Sequence, residues 1–231
     1  IFSRVYPAST TKILTCLIAL EEGDLNDTVT VPEAANITVS GSSMANLRVG
    51  DKISLSDLLY GLMVPSGNDA AEAIAYHIAG SSEAFAEMMN QKARSLGATQ
   101  SHFVNPHGLP DDNHYTTPYD MYLIFNAAMK NDTFREIAGS RSHEAQVTGA
   151  DGESRIIRWD SGNLYLRGEY DLPAGISYTA GKTGHTEAAG YCLVMGETAD
   201  DGRDYISVVF KAGSYSKLYT GMTTLLEKSR S

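Results

Sequence analysis

Apolar residues recur at helical spacing through the first part of the chain. Between residues 8 and 22, Ile13, Leu14, Leu17 and Ile18 form one stripe, and Gly23 marks its end. "SLSDLLYGLM" sets Ser54 three residues before Asp57, a capping-box spacing, and predicts a helix that runs to Val64 and is stopped by Pro65. "NDAAEAIAYHIAG" and "SEAFAEMMNQKARSLG" predict two more helices, closing at Gly80 and Gly97. In "TTPYDMYLIFNAAMKN", Thr117 is placed to cap, Pro118 takes the first helical position and Asp120 follows three residues after the cap. "TFREIAG" adds one or two further turns.

The period then changes. "SRIIRW", "GISYTAGKTGHT", "AGYCLVMGET" and "DYISVVFKAG" are rich in β-branched and aromatic residues and predict strands, the last two joined as an antiparallel hairpin through "ETADDGRDY". A final helix is expected over about 215–228, with Leu218, Met222, Leu225 and Leu226 on its apolar side. The fold class expected is α/β (α+β): an antiparallel sheet flanked by helices, with an inserted, mostly helical subdomain. The expected division is a helical subdomain over roughly 24–140 and a sheet subdomain from 1–23 and 141–231, together one domain.

Composition narrows the function classes. The 231 residues are 42% hydrophobic, enough for a sizeable core, and carry a net charge of −10. An acidic chain lacks the basic face that a phosphate backbone requires, so no nucleic-acid partner is expected. The longest apolar run, "ILTCLIAL", falls far short of the roughly 20 residues of a membrane span. Cys16 and Cys192 each sit among apolar neighbours and are expected to be free buried thiols rather than a bridge.

Candidate chemistry begins at "YPASTTK". Ser9 and Lys12 are three apart at the head of a helix, which puts the amine beside the hydroxyl. A serine hydroxyl needs a base to become a nucleophile, and lysine can serve only if its amine is neutral, through desolvation or a neighbouring cation. The pair alone is weak, because Ser214 and Lys217 repeat the spacing. Two further motifs raise its weight: Ser-Gly-Asn at 66–68, after Pro65, and Lys-Thr-Gly at 182–184 in a predicted strand, although Ser161 to Asn163 also spells Ser-Gly-Asn. A Ser-x-x-Lys, a Ser-x-Asn and a Lys-Thr-Gly in this order form the set of penicillin-binding proteins and class A β-lactamases.

The surrounding wording is more specific. "YPASTTKILT", "GSSMANLRVGD", "GLMVPSGNDAAEAIA", "MNQKARSLGATQSHFVNPHGL", "HYTTPYDM" and "GKTGHTEAAGYCLV" resemble the low-molecular-weight penicillin-binding proteins, the serine-type D-alanyl-D-alanine carboxypeptidases, from Tyr6 to about Val209. The resemblance selects Ser9 over Ser214 and Ser66 over Ser161, and implies a β-lactamase/transpeptidase-like fold. It implies that Ser9 attacks the penultimate D-alanine carbonyl of a peptidoglycan stem peptide ending in D-Ala-D-Ala, that Lys12 takes the proton, and that Ser66 relays one to the departing D-alanine. Asn68 would orient Lys12 and the substrate amide. Lys182 and Thr183 would bind the terminal carboxylate, and Gly184 would let the substrate backbone lie close to the strand. The backbone N–H groups of Ser9 and His185 would form the oxyanion hole, with the His185 side chain doing no chemistry. β-Lactam antibiotics would acylate Ser9 as covalent inhibitors. No cofactor is expected.

His102, His107 and His114 lie close in sequence, but their spacing matches no helical ligand pattern and neither cysteine is near, so no metal site is expected and "NPHGLP" is read as a turn. Family members usually have about two strands before the nucleophile, and many carry a C-terminal β-rich domain and an amphipathic anchor. None is expected within these residues, so membrane contact is expected only through segments outside them, and the expected location is extracytoplasmic after removal of a signal peptide. The family often places an arginine after the last long strand; in "FKAGSYSKLY" the nearest basic residue is Lys217. A class A β-lactamase would need a Glu-x-x-Leu-Asn string between Asn68 and Lys182, and there is none. A D,D-endopeptidase would use the same residues, and a non-catalytic penicillin sensor would be expected to lose one of the three motifs.

Overall fold

The computed structural model of the chain describes residues 1–228. A 3-10 turn, Ala8–Thr11, leads directly into α1 (Lys12–Glu22), which is buried from Lys12 through Ala19. A helix buried along that length cannot be amphipathic in the ordinary sense, and "ILTCLIAL" supplies the apolar surface this requires. Next come β1 (Thr28–Thr30), β2 (Lys52–Ser54), α2 (Leu55–Met63), α3 (Asn68–Ala79) and α4 (Ser82–Ser95). They are followed by α5 (Pro118–Ala128), α6 (Asp132–Ala138), β3 (Ser142–Thr148), β4 (Ser154–Asp160) and α7 (Leu164–Arg167). The chain finishes with β5 (Ile176–Thr186), β6 (Gly190–Ala199), β7 (Asp204–Ala212) and α8 (Tyr215–Lys228). The capping signals act as expected: Ser54 Oγ accepts from Asp57 N–H at 3.0 Å, and Thr117 Oγ1 from Asp120 N–H at 3.0 Å.

The strands form two antiparallel sheets, β1-β2-β3-β4 and β5-β6-β7. This corrects the expected division at residue 141, because β3 pairs with β2 (Lys52 opposite Thr148) and β4 with β3, rather than with β5–β7. Side-chain contacts give the reason. Trp159 of β4 is buried and donates its indole N–H to Ala45 O at 2.8 Å. His143 of β3 stacks on Tyr60 of α2 at 3.7 Å. Both strands are therefore anchored on the side of α2 and the 43–47 loop. β1, β2, β3 and α7 do not stand out in the sequence: β1 and β2 have three residues each, and in β3 only Ala145 and Val147 are buried.

The main core surrounds α1 and joins α2, α3 and α5 to the inner face of the second sheet through Ala180 and Val194. A second core packs Leu193 and Met195 of β6 against Leu218, Tyr219, Met222 and Leu226 of α8. Leu225, expected on the apolar side of α8, is 36% exposed. Cys16 and Cys192 are free and buried, as expected. The lone pairs of one buried acid are only partly satisfied. Glu197 on β6 is 1% exposed; its Oε1 accepts the Ser207 hydroxyl at 2.6 Å, while Oε2 has no partner among the described residues. Burial raises this carboxyl from 4.5 to about 7. The unfolded chain then releases a proton that the folded chain retains. Stability is full below pH 4.5 and falls as pH rises to about 7. Glu197→Gln is expected to gain on the order of 2–3 kcal/mol relative to the parent between pH 4 and pH 8. Denaturant melts of both proteins at the two pH values check it, and equal differences at both would refute it.

Candidate active site

Four separate segments converge beside the N-terminus of α1. The first is the 3-10 turn that carries Ser9. Ala8 in this turn has φ 47°, an unusual conformation for a residue with a Cβ. Strain of this kind costs on the order of 1–3 kcal/mol and persists only where neighbours enforce it. The neighbours are two glycines. A Cβ on Gly108, which has φ +90°, would stand 1.8 Å from Ala8 O. A Cβ on Gly184 of β5 would meet Ser9 N and Thr10 N at 3.0 Å and Pro7 O at 3.1 Å. Gly184 therefore makes room for the nucleophile turn itself, which differs from the expected reason that it makes room for substrate.

The second segment is the start of α1. Lys12 is 0% exposed, and its Nζ lies 3.1 Å from Ser9 Oγ, 2.6 Å from Asn68 Oδ1 and 2.9 Å from His107 O. Burial lowers its pKa well below 10.5, the nearby Lys182 lowers it further, and Asp69 opposes both. A neutral amine has two N–H groups and one lone pair. Asn68 Oδ1 and His107 O can only accept, so together they use both N–H groups. In the neutral form the lone pair is then left for Ser9 Oγ, which can give its hydroxyl proton to it. Hydrogen bonding thus orients the base, while burial and Lys182 favour its neutral form.

The third segment is the turn between α2 and α3. Ser66 has φ 66°, again strained, and Gly67 rather than Asn68 is the N-cap of α3. Asn68 therefore sits inside the first turn with its side chain free to meet Lys12. The buried Asp69 carboxylate accepts from Ala45 N–H at 2.7 Å, Leu47 N–H at 3.0 Å and Ala70 N–H at 2.9 Å, tying the 43–47 loop to this turn. The sequence reading missed Asp69. An acid immediately after Ser-Gly-Asn at a helix start was the only signal, and it looks like ordinary first-turn chemistry.

The fourth segment is β5, an edge strand with no partner strand among the described residues on the side away from β6. Lys182, 3% exposed, donates to Ser66 Oγ at 2.9 Å and to Thr183 O at 3.0 Å. Burial lowers its pKa to about 7. The His185 ring is stacked on Tyr191 at 4.1 Å, which in turn packs on Tyr215. A cleft of about 290 Å³ is lined by Ser9, Ser66, Thr183, Gly184, His185 and Tyr215, among others. A second of about 280 Å³ shares Ser9 and His185 and continues between the 39–43 and 107–110 loops. A larger hollow of about 720 Å³ lies elsewhere, between α5 and β7. Each sequence-chosen residue is thus at this one site. Lys217 lines neither cleft; Tyr215 and Leu218 stand there instead.

The decoys have local jobs. Asn163 caps α7 by accepting from Tyr165 N–H at 3.1 Å, and Ser161 Oγ accepts from Asn163 N–H at 3.2 Å. Ser214 Oγ accepts from Lys217 N–H at 3.2 Å. The histidines are also engaged locally. His114 Nδ1 accepts from Val104 N–H at 3.1 Å, which leaves its Nε2 to donate to Thr11 Oγ1 at 2.8 Å.

A family model described as D-alanyl-D-alanine carboxypeptidase matches residues 2–214. The chain belongs to this family. It is 35% identical to the D-alanyl-D-alanine carboxypeptidase of Streptomyces sp. strain K15, over 92% of this chain and 74% of that protein. It is 39% identical to DacB2 of Mycobacterium tuberculosis over 85% of this chain and 63% of that protein, and 30% identical to DacF of Bacillus subtilis over 97% and 56%. The crystal structure of the Streptomyces K15 DD-transpeptidase superposes with a TM-score of 0.88 at 31% identity, covering 99% of this chain and 89% of that one. The chain thus spans between about half and three quarters of the length of these curated relatives. No helix among the described residues is long and apolar enough to cross a membrane.

Proposed function

We propose that this member of the D-alanyl-D-alanine carboxypeptidase family is a serine peptidase that removes the terminal D-alanine from peptidoglycan stem peptides through an acyl-enzyme on Ser9. The single observation that carries the reading is the placement of the buried Lys12 amine, with Asn68 Oδ1 at 2.6 Å, the His107 carbonyl at 2.9 Å and Ser9 Oγ at 3.1 Å. Lys12 takes the Ser9 proton as Oγ attacks the penultimate carbonyl. Ser9 lies in the first turn of a helical segment, where backbone N–H groups lack intrahelical acceptors. With the His185 N–H on the edge strand, its N–H would receive the oxyanion. Ser66 accepts from Lys182, so its own hydroxyl proton is available to the departing amine nitrogen. Lys182, buried and hydrogen-bonded to the uncharged Ser66 hydroxyl and Thr183 carbonyl, is a site for the substrate carboxylate, with Thr183 lining the same cleft. An extended peptide would lie along the free edge of β5. Water then releases the shortened peptide.

A β-lactam presents a carboxylate and a strained amide in the same relation, so it should acylate Ser9 and leave slowly. The substrate belongs outside the cytoplasm, and so does the enzyme in this proposal. The test joins covalent labelling by a fluorescent penicillin, with the modified peptide mapped by mass spectrometry, to D-alanine release from a stem pentapeptide. Label on the peptide containing Ser9 together with release is expected. Label without release would make the chain a penicillin sensor. Release only from cross-linked dimers would make it an endopeptidase.

A further inference from the structure

The geometry points to Glu72 as a positioning residue for the base: through the His107 ring it holds the carbonyl that fixes the Lys12 amine. This inference rests on the proposed role of Lys12. His107 Nδ1 accepts from Leu109 N–H at 3.1 Å, so the ring's proton is on Nε2, and Nε2–H donates to Glu72 Oε1 at 3.1 Å. Both side chains are buried, at 8% and 7% exposure. The other Glu72 oxygen accepts the Ser82 hydroxyl at the start of α4. The ring is thus clamped between α3 and its own loop, and the same residue's carbonyl takes one Lys12 N–H at 2.9 Å. A protonated ring would place an N–H against the Leu109 N–H, so the clamp operates with neutral His107. Burial also disfavours the imidazolium. The loop backbone adds its own ties: His107 N–H and Gly108 N–H both donate to Asn105 Oδ1, at 3.3 and 2.7 Å. None of these ties crosses to α3; the Glu72 contact does.

An acid one helical turn after Asn68 would ordinarily be an exposed charge. Here it is buried on the side of α3 that faces the catalytic turn, and Lys12 and Glu72 reach opposite ends of a single residue, His107. Without the carboxylate, the ring loses its Nε2 partner and the carbonyl is free to turn. Lys12 then keeps only Asn68 as a fixed acceptor, and its lone pair is no longer held on Ser9. Glutamine can replace the carboxylate, because its oxygen accepts from His107 Nε2–H and its amide donates to Ser82 Oγ.

The experiment measures the acylation rate constant and the preceding dissociation constant separately, using stopped-flow mixing with a fluorescent penicillin across pH. Glu72→Ala is expected to lower the acylation rate constant about tenfold or more, to leave the dissociation constant within about twofold, and to displace the acidic limb of the rate profile. Glu72→Gln should restore most of the rate. His107→Ala keeps the carbonyl but loses the ring; it should match Glu72→Ala and add nothing when combined with it. That variant carries the test if Glu72→Ala does not fold. An unchanged acylation rate in both alanine variants overturns the inference, as does a glutamine variant as slow as the alanine one, or a loss confined to the dissociation constant. Failure of the parent protein to label at all would refute the proposed function instead.

Discussion

Ser9→Ala is expected to abolish covalent labelling by penicillin and to lower D-alanine release by at least ~10^4-fold, the scale of removing a serine nucleophile. Alanine at Ser214, which repeats the Ser9 spacing, or at Ser161, which repeats that of Ser66, should retain both activities, because Ser161 and Ser214 act in local capping bonds away from Lys12. Loss of the Ser9 hydroxyl removes one partner of the Lys12 amine but leaves Asn68 and His107 in place, so the fold should be unaffected. The measurement is intact-mass spectrometry after penicillin treatment, paired with a thermal melt. A penicilloyl adduct on the alanine variant would overturn the assignment of Ser9.

Lys12→Arg is expected to be equally inactive for a different reason, and to be less stable. Guanidinium does not lose its proton at neutral pH, so it cannot accept the Ser9 proton. The position is fully buried, and a permanent cation there would stand beside Lys182 with only Asp69 to offset it, a carboxylate already bound by three backbone N–H groups. Lys12→Met separates the two effects. It removes the base, so acylation should fall by about 10²–10⁴-fold or more, yet it fills the same space without a titrating group. In the parent protein the Lys12 pKa is lowered by burial and by Lys182, so the unfolded chain binds a proton that the folded chain does not. Parent stability therefore declines as pH falls from the unfolded value of 10.5 toward the lowered one. The methionine variant should melt higher than the parent at pH 7, with the gap closing as the pH approaches 10.5. A labelled Lys12→Arg protein, or a methionine variant less stable than the parent at pH 7, would show that the amine is not held neutral.

The helices that frame the site are readable because their signals are local. Ser54, Thr117 and Gly80 act at the ends of elements through contacts with residues three or four positions away, and such contacts depend little on the rest of the fold. The partition of the strands was not readable. β3 and β4 join β1 and β2 because Trp159 and His143 find partners near Ala45 and on α2, across sequence separations that no local pattern encodes. The packing at Gly184 is unreadable for the same reason: what occupies the space beside it is a turn from the other end of the chain.

By itself, the sequence determined the three motif segments and the family, because residue type and spacing at 9–12, 66–68 and 182–184 single out serine acyl transfer and the stretches around them separate the carboxypeptidases from the β-lactamases. Tertiary structure decided whether that chemistry is poised. The lowered pKa of the amine depends on full burial and on a second lysine brought alongside from β5, and its orientation depends on a backbone carbonyl supplied by the 105–109 loop. Desolvation and hydrogen-bond direction belong to assembled three-dimensional surroundings, and a linear string of residues carries neither.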